Sequence, residues 1–121
     1  MNTLVHRRLW LAIGWGLVAL VCVLSLVPPP QLPGPEYNDK VGHILAYFSL
    51  MAWFGQLYPA RIKPVLALLA MGAGLEVLQG MTGYRDMSGL DMLANASGVA
   101  LGWLSARLVP GLLLLLEARL P

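Results

Sequence analysis

Residues 9–27, "LWLAIGWGLVALVCVLSLV", form a run of 19 residues without a charge. As a helix rising ~1.5 Å per residue, the run spans roughly the ~30 Å hydrocarbon core of a bilayer. Three further apolar segments follow, at about 41–58, 62–80 and 90–109. Pro110 stops or kinks the last of them, and the tail 110–121, "PGLLLLLEARLP", is too short to cross again. It either extends the fourth helix past a kink or lies at the interface. Apolar residues make up 58% of the 121-residue chain and charged residues 12%. A soluble domain carries about a quarter charged. The expected architecture is therefore all-α: an integral membrane four-helix bundle, one domain over residues 1–121.

The first segment begins with "HRRL", as a secretory signal does. Its apolar run is too long for one, and "SLVPPP" has no small-x-small cleavage pattern, so the helix is expected to be retained. The lone Cys22 follows Val21, not the small residue a lipoprotein site wants. Prolines 28, 29, 30, 33 and 35 favour an extended path between segments one and two. Gly83 and Gly89 are candidate turn points before segment four.

Lys and Arg placement predicts orientation. One side holds Arg7, Arg8, Arg61, Lys63, Arg107 and Arg119, the other Lys40 and Arg85. Both termini are then expected on the cytoplasmic side. Trp10, Tyr58 and Trp103 fit the inner interface, Tyr37 and Tyr84 the outer one. The basic residues are scattered and the net charge is +2, so no nucleic-acid partner is expected.

The acids distribute the opposite way. Glu36, Asp39, Glu76, Asp86 and Asp91 lie toward the outer side, and only Glu117 toward the inner. Asp39, His43 and Tyr47 stand at i, i+4, i+8 on one helix face. Glu76 and Gln79 stand at i, i+3; Asp91 and Asn95 at i, i+4. Three polar stripes at similar depth are costly against lipid but satisfy one another when they face inward. Glu76 sits inside the apolar run "LLAMGAGLEVLQG" and asks for a partner, with Lys40, His43 and Arg85 as candidates. Local readings compete. Asp39 reads equally as an N-cap, and Lys40 as a snorkelling side chain. "SGLD", residues 88–91, reads as a capping box. Ala94, Gly98 and Gly102 form a small-xxx-small stripe suited to close helix packing, within the chain or in a homo-oligomer.

The ordered motifs "DKVGHILAYF", "GLEVLQG", an Arg, and "DMLANASGVALG" resemble the VanZ-like family of small bacterial membrane proteins. The likeness covers roughly residues 38–103. It implies a helical protein of the bacterial inner (cytoplasmic) membrane, tied to the cell envelope, in a family named for a member associated with resistance to teicoplanin. Asp39, Lys40, His43, Glu76, Gln79, Arg85, Asp91 and Asn95 fall on its motif positions, and the resemblance assigns them no chemistry.

Three functions fit the residues. The first is binding or acting on a membrane-lipid or lipid-linked envelope-precursor headgroup at the outer interface. Lys40 and Arg85 would hold a phosphate, and His43 and Glu76 are the candidate catalytic pair for proton transfer. The acids outnumber the bases there, which suits an amine better unless one acid is protonated or turned away. The second is a structural or accessory role, with the polar cluster as helix glue. The third is a small transporter or flippase component. That end has one histidine and no cysteine, so zinc is poorly provided. A carboxylate site for Mg²⁺ or Ca²⁺ stays open, but no metal or cofactor is expected. P-loop, GxSxG and HExxH motifs are absent.

Overall fold

The computed structural model describes residues 4–27, 37–58, 61–83 and 89–120, and they contain helices and turns but no strand. The elements are α1 Arg7–Leu26, α2 Tyr37–Leu57, α3 Ile62–Met81, α4 Gly89–Leu108 and α5 Leu112–Glu117. The first four have 20 or 21 residues each, about 30 Å of helix. Two of them, α1 and α3, are long and apolar enough to cross a membrane by length and composition. α2 and α4 match them in length and carry more of the polar residues.

The boundary of α2 differs from the sequence expectation. It starts at Tyr37, not near residue 41. Apolarity marks only the stretch a bilayer could cover, whereas "YNDK" contains no helix breaker. An acidic residue in the first turn also suits the positive end of the helix dipole. Asp39 is consequently the third residue of the helix and not its N-cap.

α2 and α4 make the most extensive contact in the molecule, with α1 and α3 packed beside them. The α2–α4 pair is parallel. Lys40 meets Asp91, His43 meets Asn95, Gly98 lies on Ile44, and Gly55 meets Ala106, so residue numbers rise together along both helices. Small residues make this possible. A β-carbon on Gly98 would stand 2.5 Å from the Ile44 carbonyl oxygen, and one on Gly102 would stand 2.7 Å from that of Phe48. Ala94, Gly98, Gly102 and Ala106 are all buried in this seam. The stripe that offered itself for a homo-oligomer is thus occupied within the chain.

α1 and α3 run opposite to that pair. Arg7, at the start of α1, donates from Nη1 to the carbonyl of Leu57 at the end of α2, 2.7 Å away. Gln79, near the end of α3, donates to the carbonyl of Ser25 at the end of α1. A cluster of Trp10, Leu50, Met51, Phe54, Leu57, Leu68, Val99 and Leu113 fills the interior. The outside is also apolar: Trp15, Leu66 and Leu101 are at least half exposed, while Glu76, Gln79, Asp91 and Asn95 are buried. A soluble domain has the reverse polarity.

The tail does not extend α4. Residues 109–111 form a turn, since Pro110 has no N–H and its ring obstructs the helix. α5 then folds back, burying Leu113. Glu117 accepts hydrogen bonds from the N–H groups of Val5 (3.0 Å) and His6 (2.6 Å) and from Nε1 of Trp10 (2.8 Å). A carboxylate there satisfies amides that a helix start leaves over. Desolvation raises the Glu117 pKa, but the hydrogen bonds from His6, Trp10 and Val5 outweigh it and leave the carboxyl below its ordinary range. The two ends of the described chain therefore meet at one end of the molecule.

Candidate polar site between the helices

At the other end, the starts of α2 and α4 meet the ends of α1 and α3. Lys40 and His43 stand at i, i+3 on the face of α2 turned to α4, and Asp91 and Asn95 stand at i, i+4 on the face of α4 turned to α2. They form a row. Lys40 Nζ is paired with Asp91 Oδ1. The other carboxylate oxygen, Oδ2, lies 3.8 Å from Nε2 of His43. Nδ1 of His43 lies 2.8 Å from Oδ1 of Asn95. An amide oxygen only accepts, so Nδ1 carries the proton and donates it. Nε2 then faces the carboxylate.

The row opens outward at Lys40, whose side chain is 31% exposed, against 9% for Asp91. Inward it continues to α3. A β-carbon on Gly72 would stand 3.2 Å from Nδ2 of Asn95 and 3.4 Å from the Tyr47 hydroxyl. Gly72 thus lets α3 approach both groups. One helical turn on is Glu76, 1% exposed, within electrostatic reach of Tyr47.

The structure therefore gathers Lys40, His43, Asp91 and Asn95 into one contact row, with Tyr47 and Glu76 on its inner side. Gln79 has another use. Its Nε2 donates to Ser25 O at 2.8 Å, tying α3 to the last turn of α1. Asp39 lies in the first turn of α2, but its side chain is outside the described residues, as is all of Arg85. So are Glu36, Asp86, Tyr84 and the prolines 28, 29, 30, 33 and 35. Ser88, the cap of the expected capping box, is outside them too, whereas Asp91, its other member, is committed to Lys40.

Sequence reasoning placed Tyr47 on the right face but gave it no role, and it did not foresee Ser25. The signal for Ser25 was present: the prolines from Pro28 onward end α1 and leave carbonyls of its last turn available. Among the described residues, no group of three or more His, Cys, Asp and Glu side chains gathers to hold a metal ion.

The chain matches no protein-family model, no curated protein and no solved structure.

Proposed function

We propose that this chain is a multi-pass protein of the bacterial cytoplasmic membrane, of VanZ-like type, whose polar row binds the phosphate-bearing headgroup of a lipid or lipid-linked envelope precursor. One observation carries the reading. Lys40–Asp91 and His43–Asn95 form two hydrogen-bonded pairs in one row, 3.8 Å apart at Asp91 and His43, with the cation at the open end, in a molecule whose exterior is apolar. Buried polar groups in a membrane-spanning chain mark functional sites by default.

The row suggests how a phosphate is received. It approaches Lys40 and takes the place of Asp91 Oδ1 on the ammonium. Asp91 Oδ2 already lies 3.8 Å from His43 Nε2, so the displaced carboxylate keeps a neighbour in the row. Glu76 and His43 are the proposed pair for proton transfer where chemistry follows binding. An altered susceptibility to glycopeptides is the phenotype suggested by the family resemblance.

Helix glue is the second reading, and a specific observation favours it. The described bonds of Lys40, His43 and Gln79 each join two helices. The transporter reading has less support, because Leu50, Met51 and Phe54 fill the interior beyond Tyr47.

Native mass spectrometry of protein extracted gently from membranes, wild type beside Glu76→Gln and Lys40→Gln, tests the proposal. One phosphate-bearing lipid retained by the wild type and lost in both variants, with helix content preserved, is the expected result. No specific adduct in any form refutes binding in favour of glue.

A further inference from the structure

The opposite end of the molecule carries a separate feature. A groove of about 410 Å³ runs between α1, α2 and α3, walled by Trp15, Phe54, Leu68 and Met71 and ending at Tyr58 and Lys63. Its size falls within the ~300–1,000 Å³ of ligand pockets. The lining is apolar except at that end. There Lys63 is exposed, and among the described residues it has no ion-pair partner. The Arg7 guanidinium lies 5.3 Å from the centre of the Tyr58 ring. Two cations therefore flank the mouth, and no acidic side chain lines the groove. Arg61, nearby in sequence, is turned inward onto the carbonyls of Gly55 and Ala106.

We propose that this groove holds one acyl chain of an anionic phospholipid, with the headgroup phosphate on Lys63 and Arg7. The inference rests on the reading that the chain spans a membrane. Charge complementarity selects the occupant. In a bilayer an acyl chain gains no hydrophobic free energy by leaving its neighbours, so retention depends on fit and on the two cations. A second copy of the chain fits less well, because it would have to bring a carboxylate to Lys63. Among the described side chains, Glu76 and Asp91 are buried in the polar row, and Glu117 is held by Val5, His6 and Trp10. From Pro64 to Met71 the α3 wall runs roughly 10 Å, long enough for part of one chain to lie along it.

The test uses the full chain in detergent micelles, titrated with phosphatidylglycerol or phosphatidylcholine and read by native mass spectrometry. Wild type is expected to retain one phosphatidylglycerol in preference to phosphatidylcholine. Lys63→Gln should cut that preference about fivefold, the factor one basic residue contributes at an anionic lipid surface. Ala67→Phe, which fills the groove from its wall, should abolish retention, as should Met71→Trp if the first variant fails to fold. Gly74→Ala, whose added methyl group meets nothing within 4 Å, should leave retention unchanged. Equal retention of both lipids, or retention surviving both groove-filling variants, would overturn the inference. So would a lipid-free dimer that Ala67→Phe dissociates. Alkaline carbonate extraction of native membranes separates the two levels: release of the chain overturns the membrane reading itself, whereas a chain that resists release but retains no lipid overturns only the groove.

Discussion

Gly98 of α4 lies directly on the Ile44 carbonyl of α2, so close that a methyl group there would stand 2.5 Å from the oxygen. A backbone atom cannot swing aside as a side chain can. Gly98→Ala must therefore push the two helices apart, and the strain should cost about 1–3 kcal/mol, the usual range for overpacking. Gly74→Ala is the internal control. It meets nothing within 4 Å, and removing a glycine from a helix interior favours folding by up to about 1 kcal/mol. Thermal unfolding in detergent should lower the midpoint for the first variant and hold or raise it for the second. Equal midpoints would contradict the close α2–α4 seam.

The His43–Asn95 contact should be worth little by itself. Hydrogen bonds between membrane helices average about 0.6 kcal/mol in double-mutant cycles and reach about 1.7 at most. A cycle of His43→Ala and Asn95→Ala should give a coupling in that range. A coupling indistinguishable from zero would mean that the 2.8 Å contact does not hold the helices together.

Lys40 and Asp91 should not respond alike to removal. Asp91 is buried and Lys40 is partly exposed. Lys40→Ala strands a buried carboxylate, which is the costly way to break an ion pair. Asp91→Ala leaves a lysine whose long stem can carry its charge outward. Unfolding measurements should find Lys40→Ala the more destabilising of the two. The reverse order would mean that the pair is closed to solvent at the Lys40 end.

The Glu117 clamp sets a pH dependence at the far end. Its pKa is lowered in the folded chain. A depressed carboxyl contributes stability that is fully present above its unfolded value, about 4.3, and is lost as pH falls through the folded value. Hydrogen exchange at the Val5 and His6 amides should accordingly rise, relative to other exposed amides, as the solution is acidified below about pH 4. Glu117→Gln should show the faster exchange at neutral pH and lose that acid dependence. Unchanged protection in Glu117→Gln would dissolve the clamp.

Much of the helix plan was legible in the sequence. The charge-free run of α1 and the length of α3 follow from hydropathy, and the inward stripes of α2 and α4 follow from spacing at i, i+3 and i+4. Hydropathy could not place the start of α2, because Tyr37–Lys40 are helical without being apolar. Nor could it show that α2 and α4 are the central pair, since small residues suit contact within a chain and between chains equally well. The carboxylate of Glu117 looked like an isolated charge in a tail. Its role depends on the turn at 109–111 bringing it back to the start of α1, a long-range fact with no local signal. Gln79 fitted the polar stripe by spacing, yet its partner is a carbonyl that only the packing of α1 makes available.

The parallel pairing of α2 with α4 also imposes an order of events during synthesis. The face bearing Lys40, His43 and Tyr47 emerges from the ribosome long before Asp91 and Asn95 exist. Until α4 is made, the nascent chain carries an ammonium and an imidazole whose main protein partners are still untranslated. The last long helix to appear is thus the one that completes the interior, and a chain truncated before Gly89 would keep three helices without the partner that seals their polar face.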